Sequence, residues 1–275
     1  MIEAEILADS VNFDGDRLTT FRLKYPMAIH AHVNTHRVFS RNAPSRRAMK
    51  PERFAADCDW VPDFYGPAAE GSKMHAGPLD DFSKSTARNK WDRARAQALH
   101  HAGLMESDGI HRFFSNVLTS PFAYTDVVLS STRWAGFFEQ RISDAAEPHL
   151  RQLAVMVRDA IESSVPYRLD WCDWHLPMVT RAELDAWGIA AARYISAGRC
   201  ARVSYGADMI RASFDDYKLG TRLQDAGHWS PFEHQAVPHC GYTVNNFHGW
   251  KQFRQLVEPR RLHEKYRGPT KEVER

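Results

Sequence analysis

The densest group of residues able to do chemistry is the stretch THRVFSRNAPSRR at residues 35–47, which contains four arginines, two serines, an asparagine and a histidine. Arg presents a planar fork of donors and Ser a compact hydroxyl, and both suit phosphate oxygens. A solvated basic loop has a similar composition. Composition alone therefore leaves two interpretations open, a phosphate site and an ordinary surface loop.

A second polar stretch is GHWSPFEH at residues 227–234. Gly227 predicts the end of a helix and Pro231 stops the next residues from continuing it, so a tight connection suited to ligand contacts is expected. Its polar residues are His228, Ser230, Glu233 and His234. A metal site on His228, Glu233 and His234 is an alternative, but it lacks the HExxH spacing of ligands on one helical face. Pairing of Glu233 with a nearby Arg is another alternative.

The elements that lead into the first stretch are a predicted strand and a predicted short helix. Apolar and basic side chains alternate over residues 18–25, which indicates a half-buried strand ended by Pro26. The apolar face carries Phe21, Leu23 and Tyr25, and the other face carries Arg22 and Lys24. The helix is expected from Met27 to about Arg37. Residues 50–88 are rich in Pro, Gly, Asp and Ser and are expected to form an irregular excursion, either a lid or an insertion.

Helical patterns dominate the rest of the chain. Apolar residues recur at helical spacing over 89–104, 133–163 and 215–226. Thr180 and Glu183 form a capping-box pattern ahead of a further helix, for which Gly198 is the expected end. Gly227 is the expected C′ residue of the helix over 215–226. The pattern as a whole predicts an α+β fold with more helix than strand.

Composition narrows the class of protein. The 36 Lys and Arg nearly balance the 34 Asp and Glu, so the net charge of +2 does not favour a nucleic-acid backbone or an anionic membrane as partner. The four cysteines are far apart and form no CxxC pair, which favours a reducing compartment over a zinc site or a disulfide framework. The start of the chain resembles no signal peptide, and no stretch is apolar enough to span a membrane. A cytoplasmic protein is expected.

Three blocks of the sequence together resemble the flavin-dependent thymidylate synthases, the ThyX family. The family signature reads RHR, seven residues, then Ser, and this chain has His36 and Arg37, seven residues, then Ser45. ARVSY at 201–205 and GHWSPFEH at 227–234 are similar to two further family blocks. The order differs, because in the family those two blocks precede the signature. A circular permutation explains the order, since neighbouring surface termini can be rejoined without disturbing the core.

The resemblance implies one ThyX-like domain over residues 1–275, with an antiparallel sheet core and long helices. Its parts are 1–49 with the signature, 50–88 as loop or insertion, 89–165 as the helical part, and 166–275 with the permuted blocks and the tail. Family members are homotetramers whose active sites are shared between subunits, so a homo-oligomer is expected.

The implied activity is transfer of a one-carbon group to C5 of a pyrimidine deoxynucleotide, most simply dUMP to dTMP. FAD is the implied cofactor, with methylenetetrahydrofolate and NADPH as co-substrates. The implied FAD-binding residues are His36, Arg37, Ser40, Asn42, Ser204, His228 and Ser230. The implied nucleotide-binding residues are His32, Ser45, Arg47, Arg133 and Arg141. Ser45 and Arg141 are placed at the catalytic centre, Ser45 as a binding group because no His or Lys lies at recognisable spacing to activate it.

Departures from the family pattern keep other activities open. Thr35 replaces the first Arg of RHR, and Ala43 and Ala48 replace polar family residues. The loss of a guanidinium removes a contact worth about 1.5 to 3 kcal/mol. Candidates to compensate are Asn246, His248, Lys251 and Arg254, which also fit a solvated basic helix face. Hydroxymethylation, or action on dCMP, is thus an alternative.

Two hypotheses of other classes complete the set. A nucleic-acid-binding protein would use residues 35–47 and nearby aromatics, with an affinity that falls steeply with salt. A cysteine-dependent synthase would use Cys240 as its nucleophile.

Overall fold

A five-stranded sheet organises the chain. The computed structural model describes residues 1–47, 49–67, 77–203, 211–240 and 246–258. The strands of the sheet are β1 (Glu3–Val11), β2 (Arg17–Pro26), β3 (Ser40–Asn42), β4 (Tyr124–Ser131) and β5 (Tyr167–Arg168). Their order is β3-β4-β2-β1-β5, antiparallel throughout except that β5 joins β1 in parallel. β3 is therefore an edge strand, and it brings residues of the 35–47 stretch to that edge.

Helices and a small second sheet surround these strands. The helices are α1 (His30–Asn34), α2 (Pro51–Ala56), α3 (Asp81–Ser107), α4 (Arg112–Thr119), α5 (Ala135–Arg141), α6 (Pro148–Ser163), α7 (Arg181–Cys200), α8 (Ser213–Asp225) and α9 (Arg254–Val257). A two-stranded sheet pairs β6 (Ala236–Pro238) with β7 (Trp250–Gln252). The α+β class and the excess of helix over strand are confirmed.

One face of the five-stranded sheet is apolar and carries the largest core cluster. Side chains of β2 and β4 on this face pack against α5 and α6. Those from the strands are Phe21, Leu23, Tyr25, Val127 and Leu129, and those from the helices include Phe137, Leu150, Leu153 and Val157. The predicted alternation of β2 is confirmed, because Arg22 lies on the opposite face and pairs with Asp126 of β4.

The opposite face of the sheet is polar near its middle. Thr20 of β2 lies across from Ser130 of β4, and Ser130 lies across from Ser40 of β3, so three hydroxyl side chains form a row over adjacent strands. All three are fully buried. Residues that directly face each other in an antiparallel pair point to the same side of the sheet. This polar row lies next to the segments that contain His175, His234 and Gln252.

Several predicted boundaries were wrong. The helix expected from Met27 to about Arg37 is a 3-10 turn over Met27–Ile29 followed by the short α1, because the chain must turn before β3 begins. The excursion over 50–88 contains α2 and the start of α3, whose N-terminus is capped by the Asp80 carboxylate.

The predicted helix over 133–163 is two helices. α5 ends at Arg141, and α6 begins at Pro148 behind Glu147, whose carboxylate accepts a bond from the backbone N–H of Leu150. Proline at the first position of a helix favours a new start over continuation of the earlier one. The strands β1 and β4 were not predicted at all. β4 is mostly buried on both faces, so its sequence lacks the alternation that signals a strand.

The capping box of α7 is confirmed, but its predicted end was wrong. The Thr180 hydroxyl and the Glu183 carboxylate satisfy each other's backbone N–H groups. Gly198 lies inside α7 where the helix crosses α8, and a Cβ there would lie 2.2 Å from the backbone oxygen of Asp216. The glycine serves close helix packing rather than a stop. Gly227 follows α8 with a φ of +73°, as expected of a C′ residue.

No helix within the described residues is long and apolar enough to cross a membrane.

Candidate functional site

Asn42 joins the three stretches that the sequence singled out. Its side-chain nitrogen donates to the carbonyl oxygen of Cys200 at 2.9 Å, and its side-chain oxygen accepts from the Ser230 hydroxyl at 2.9 Å. Cys200 directly precedes ARVSY, and Ser230 belongs to GHWSPFEH. One amide at the end of β3 thus links the 35–47 stretch to Ser230 and to Cys200, the residue before ARVSY.

Ser40 lies two residues before Asn42 and points to the same face, but it is fully enclosed by protein. Its hydroxyl accepts bonds from Gln252 at 2.8 Å and from Asn246 at 3.2 Å. Gln252 also donates to the backbone oxygen of Glu233. Ser40 therefore anchors β7 and the SPFEH segment against β3, a supporting position rather than the solvent-facing position expected of a cofactor ligand.

Arg141, His36 and Thr35 form a second group beside β3. The Arg141 Nε donates to His36 Nε2 at 3.0 Å, and its Nη2 donates to the Thr35 hydroxyl at 3.1 Å. Arg41, which alternates with Ser40 and Asn42, donates to the backbone oxygen of His36 at 3.0 Å. The predicted nucleotide ligand Arg141 and the predicted flavin ligand His36 are therefore in direct contact.

The surroundings of His36 hold its imidazole neutral. Partial burial lowers the pKa of His36, and the nearby positive charges of Arg141 and Arg41 lower it further. Because Nε2 accepts a hydrogen bond from Arg141, the ring proton is assigned to Nδ1. His36 can therefore offer an N–H donor from Nδ1 at neutral pH.

Ser45, Arg46 and Arg47 form a third group. After Asn42, which lies opposite Val128, the chain continues toward the Tyr124 end of β4. The Arg46 guanidinium lies over the Phe54 ring at 4.4 Å, while Ser45 and Arg47 are exposed.

The predicted nucleotide ligands are thus divided between two places. Arg133 is exposed and follows the opposite end of β4, and an eight-residue strand is about 23 Å to 26 Å long at roughly 3.3 Å per residue. Ser45 and Arg47 are therefore separated from Arg133 within one chain, whereas Arg141 lies beside His36, which Arg41 of β3 also contacts. His32 is exposed on α1, and its backbone oxygen accepts a bond from the Thr35 hydroxyl.

The β3 edge carries an excess of positive charge. Six arginines in and beside it form no ion pair with any carboxylate of the described residues: Arg37, Arg41, Arg46, Arg47, Arg133 and Arg141. On β2, by contrast, Arg17 pairs with Asp9 and Arg22 with Asp126. Uncompensated guanidinium groups raise the local concentration of anions, so this edge suits a ligand that carries phosphate.

The polar residues of GHWSPFEH separate in the structure. His228 is exposed, Glu233 pairs with Arg254, and His234 is buried with its Nδ1 at 2.8 Å from the Ser130 hydroxyl. The alternative metal site is therefore not assembled, whereas the alternative pairing of Glu233 with an arginine is confirmed. Arg254 also pairs with Glu258, and His248 pairs with Asp16. Both of these candidates to replace the missing arginine therefore already have acidic partners within the chain. Ser204 and Ala48 lie outside the described residues.

Sequence reasoning missed the buried polar residues that lie next to His234 of the GHWSPFEH stretch. Thr20, Ser130 and His175 form a buried hydrogen-bonded group next to His234, and none was singled out. The paired hydroxyl residues at the end of the LSS sequence of β4 were an available signal, because hydroxyl side chains in an otherwise apolar strand need partners when buried.

Comparison with known proteins found similarity among solved structures. No family model matches the chain, and no curated protein matches it. Its fold is similar to the crystal structure of a UMP/dUMP methylase, PolB from Streptomyces cacaoi, bound with 5-Br UMP, with a TM-score of 0.49 and 14% sequence identity. The matched region covers 58% of this chain and 88% of that chain.

Proposed function

We propose that the chain transfers a one-carbon group to C5 of a pyrimidine deoxynucleotide, converting dUMP to dTMP with FAD as cofactor. Methylenetetrahydrofolate is the proposed carbon donor and NADPH the proposed reductant. The observation that carries the proposal is the junction at Asn42, which joins the three stretches resembling the flavin-dependent thymidylate synthases. Stretches that share one site must lie close together, whereas unrelated surface loops need not.

The exposed donors near this junction fit a flavin nucleotide. FAD carries a diphosphate and a ring rich in carbonyl and nitrogen acceptors, so it needs cationic and N–H donors. Arg37 and His228 are exposed, and no other described residue accepts a side-chain bond from either. His36 adds the Nδ1 donor assigned above. When bound, the flavin would supply redox chemistry, while these residues would bind and orient it.

Arg141 is the proposed nucleotide ligand beside His36. Its contacts with His36 and Thr35 are uncharged, so its positive charge remains available to an anion or a carbonyl oxygen. A charge-assisted bond from a guanidinium is about twice as strong as a neutral bond. Arg141 would therefore hold the nucleotide close to the residues that hold the flavin.

A homo-oligomer is part of the proposal. Ser45 and Arg47 follow β3 toward the Tyr124 end of β4, whereas Arg133 follows the other end, and a nucleotide is too short to bridge the length of β4. A neighbouring copy would bring the two groups together. If sites are shared, a mixture of Arg47→Gln and Arg133→Gln variants should be more active than either variant alone, and sedimentation should show an oligomer.

The visible absorption spectrum of the purified full-length protein tests the proposal most directly. We expect the bands of oxidised flavin, either as isolated or after addition of FAD. Product analysis with dUMP, methylenetetrahydrofolate and NADPH should then show dTMP. A folded protein that binds neither FAD nor dUMP would contradict the proposal, and tight salt-sensitive binding of nucleic acid would favour the competing class.

One contact favours a second candidate with a different product. Thr35 stands where the related family has an arginine, and its hydroxyl accepts from Arg141. This contact fixes the orientation of the Arg141 guanidinium. The substrate can therefore differ from dUMP, and the transferred group can differ from methyl. Mass spectrometry of products from dUMP and dCMP distinguishes the candidates, and exclusive formation of dTMP would exclude hydroxymethylation and action on dCMP.

A further inference from the structure

The helix α4 is inverted, because it exposes its apolar side chains and buries its polar ones. Ser115, Asn116 and Thr119 are at most 3% exposed, and each forms a hydrogen bond within the chain. The apolar side chains are 37% to 55% exposed and belong to Phe113, Phe114, Val117 and Leu118. A helix at a protein surface normally turns its apolar stripe toward the core. α4 therefore presents an apolar face that the described residues leave exposed.

The apolar face of α4 is continuous. Residues three and four apart on a helix are neighbours, so Phe113 and Phe114 lie next to Val117 and Leu118. Ile110 comes three residues before Phe113 and is also exposed. Exposed apolar residues scattered singly are ordinary, whereas a contiguous group marks a contact with another molecule. The apolar face of α4 is thus a candidate interface.

The inner face of α4 holds the segment that contains Ser45 and Arg47. The Asn116 side-chain nitrogen donates to the backbone oxygen of Arg46 at 2.9 Å and to that of Met49 at 3.2 Å. A helix with its side chains is about 10 Å to 12 Å across. A molecule that covers the apolar face would therefore lie about one helix diameter from Ser45 and Arg47, both of which are exposed.

The position of this face at one end of β4 indicates what covers it. α4 and Ser45 lie near the Tyr124 end of β4, and Arg133 lies beyond the other end, about 25 Å away. A two-fold axis across the middle of β4 exchanges these ends, so α4 of each copy would meet the Arg133 end of the other. Arg133 of one copy would then lie near Ser45 and Arg47 of the other. This arrangement completes the set of nucleotide ligands that one chain divides.

The Arg133 end of the chain has room for the apolar face of α4. Ala135 and Gly136 follow Arg133 at the start of α5, and all three are exposed. No atom lies within 4 Å of the position that a Cβ of Gly136 would take. A stable interface buries about 800 Å² on each partner. Two-fold symmetry helps to reach this area, because every copy contributes one α4 face and one Arg133 end.

We propose that the apolar face of α4 is the contact surface for a second copy of this chain, whose Arg133 end covers it. The choice of partner rests on the shared site of the proposed function. Contact between two α4 helices would also bury the face, but it would leave each Arg133 the length of β4 away from Ser45 and Arg47. Removal of the apolar side chains from water stabilises the dimer.

Cross-linking of introduced cysteines tests which surfaces meet. The exposed Cys172 and Cys240 are first replaced by Ser, since the other two cysteines are buried. With Leu118→Cys and Gly136→Cys on the same chain, a short bismaleimide should give covalent dimers. Either substitution alone should give none, because each position would face the other one in the partner. Dimers formed by Leu118→Cys alone would indicate contact between two α4 helices and would overturn the proposal.

Sedimentation tests how strongly the apolar face of α4 contributes. Phe114→Glu places a charge within the face, and we expect the dissociation constant of the dimer to rise by at least about tenfold. Phe82→Glu is the matched control, because Phe82 is 82% exposed at the other end of α3, about 25 Å along that helix from its contact with α4. It should leave association unchanged. Equal weakening by both substitutions, in variants that circular dichroism shows to be folded, would contradict the proposed surface.

The interface and the proposed function can fail separately. A chain that stays monomeric at all concentrations would overturn the interface even if it forms dTMP. The same holds for a monomer that binds phosphatidylcholine vesicles and loses this binding in Phe114→Glu, because lipid would then be the occupant of the face. Cross-linked dimers of the expected pair, in a protein that binds neither FAD nor dUMP, would support the interface and contradict the proposed function.

Discussion

Asn42 and Ser230 lie 188 residues apart in the chain, and their side chains are 2.9 Å apart in the structure. The same Asn42 side chain also binds the backbone of Cys200, 158 residues away. Loop closures of this length are entropically costly, so the junction must be stabilised by the sheet and helices on either side. β3 supplies Asn42, α7 supplies Cys200 and the turn after α8 supplies Ser230.

Replacement of Asn42 should therefore loosen all three stretches together. In Asn42→Ala we expect a loss of about 1 to 3 kcal/mol of unfolding free energy, because a Cys200 carbonyl and a Ser230 hydroxyl lose their partner. FAD and dUMP affinity should fall in the same variant. Urea unfolding and ligand titration measure both effects. Asn34→Ala, an exposed asparagine on α1, is the control, and equal behaviour of the two variants would contradict the role of the junction.

Arg141 should control both the nucleotide affinity and the pKa of His36. Arg141→Gln is expected to weaken dUMP binding by about tenfold or more, since a charged hydrogen bond contributes about 1.5 to 3 kcal/mol. Removing its positive charge should also raise the pKa of His36, because Arg141 is one of the groups that lower it. Titration calorimetry and histidine NMR measure the two effects. Arg93→Gln on exposed α3 should change neither.

Gly198 should be intolerant of any side chain. In Gly198→Ala the new methyl would meet the Asp216 backbone at 2.2 Å, so α7 and α8 would have to separate. We expect a loss of about 1 to 3 kcal/mol, the usual range for overpacking, or more because backbone cannot rotate away. Gly103→Ala provides the opposite case, since no atom lies within 4 Å of its position. That variant should gain about 0.5 to 1 kcal/mol, as for an ordinary helical glycine.

Stability should fall early on acidification because of the two buried imidazoles. In the unfolded chain each ring takes up a proton near pH 6.5, whereas in the folded chain burial delays this to about pH 3. Between these values the unfolded state binds more protons, so unfolding free energy decreases as pH falls, by up to about 1.4 kcal/mol per pH unit for each ring. Urea unfolding at pH 7.5, 6.0 and 5.0 measures the slope.

A variant identifies the source of this slope. His175→Gln should reduce the pH dependence of the unfolding free energy by the contribution of up to one proton. His101→Gln, at an exposed position on α3, should not change it. Carboxylates such as Asp9 and Glu183, whose pKa values are lowered in the folded state, contribute only at lower pH, as it falls toward and below about 4. An unchanged slope in His175→Gln would show that this ring is not the buried base.

The sequence predicted well those features that depend on local chemistry. The alternation of β2, the capping box of α7 and the C′ role of Gly227 involve residues close together in the chain, and each was confirmed. The strand β4 escaped prediction because its partners are distant and it is buried on both sides, and β1 escaped because a bulge between Ile6 and Ala8 interrupts its alternation. Gly198 was misassigned because its reason for being glycine lies on another helix.

The motif resemblance named residues that the structure brings into contact, but it did not give their arrangement. Motif resemblance selected Asn42, Ser230, His36 and Arg141, and the structure brings them into two contacting pairs. Whether a side chain faces solvent or the interior depends on the strand it belongs to, which is why Ser40 proved to be enclosed. The separation of Arg47 from Arg133 likewise follows from the direction of β3 along β4, which no local pattern encodes.

The contrast between the two faces of β2 also governs how reliably the sheet assembles. Phe21 belongs to an apolar layer and its neighbour Thr20 to a hydroxyl layer, so a shift of β2 by one residue would exchange them. Such a misaligned sheet would place a phenyl ring among unsatisfied hydroxyl and imidazole groups, and a hydroxyl among aromatic rings. Each error is costly by itself, and both occur together. The buried polar row therefore makes a misaligned sheet much less stable than the native one. An all-apolar strand would tolerate the same shift.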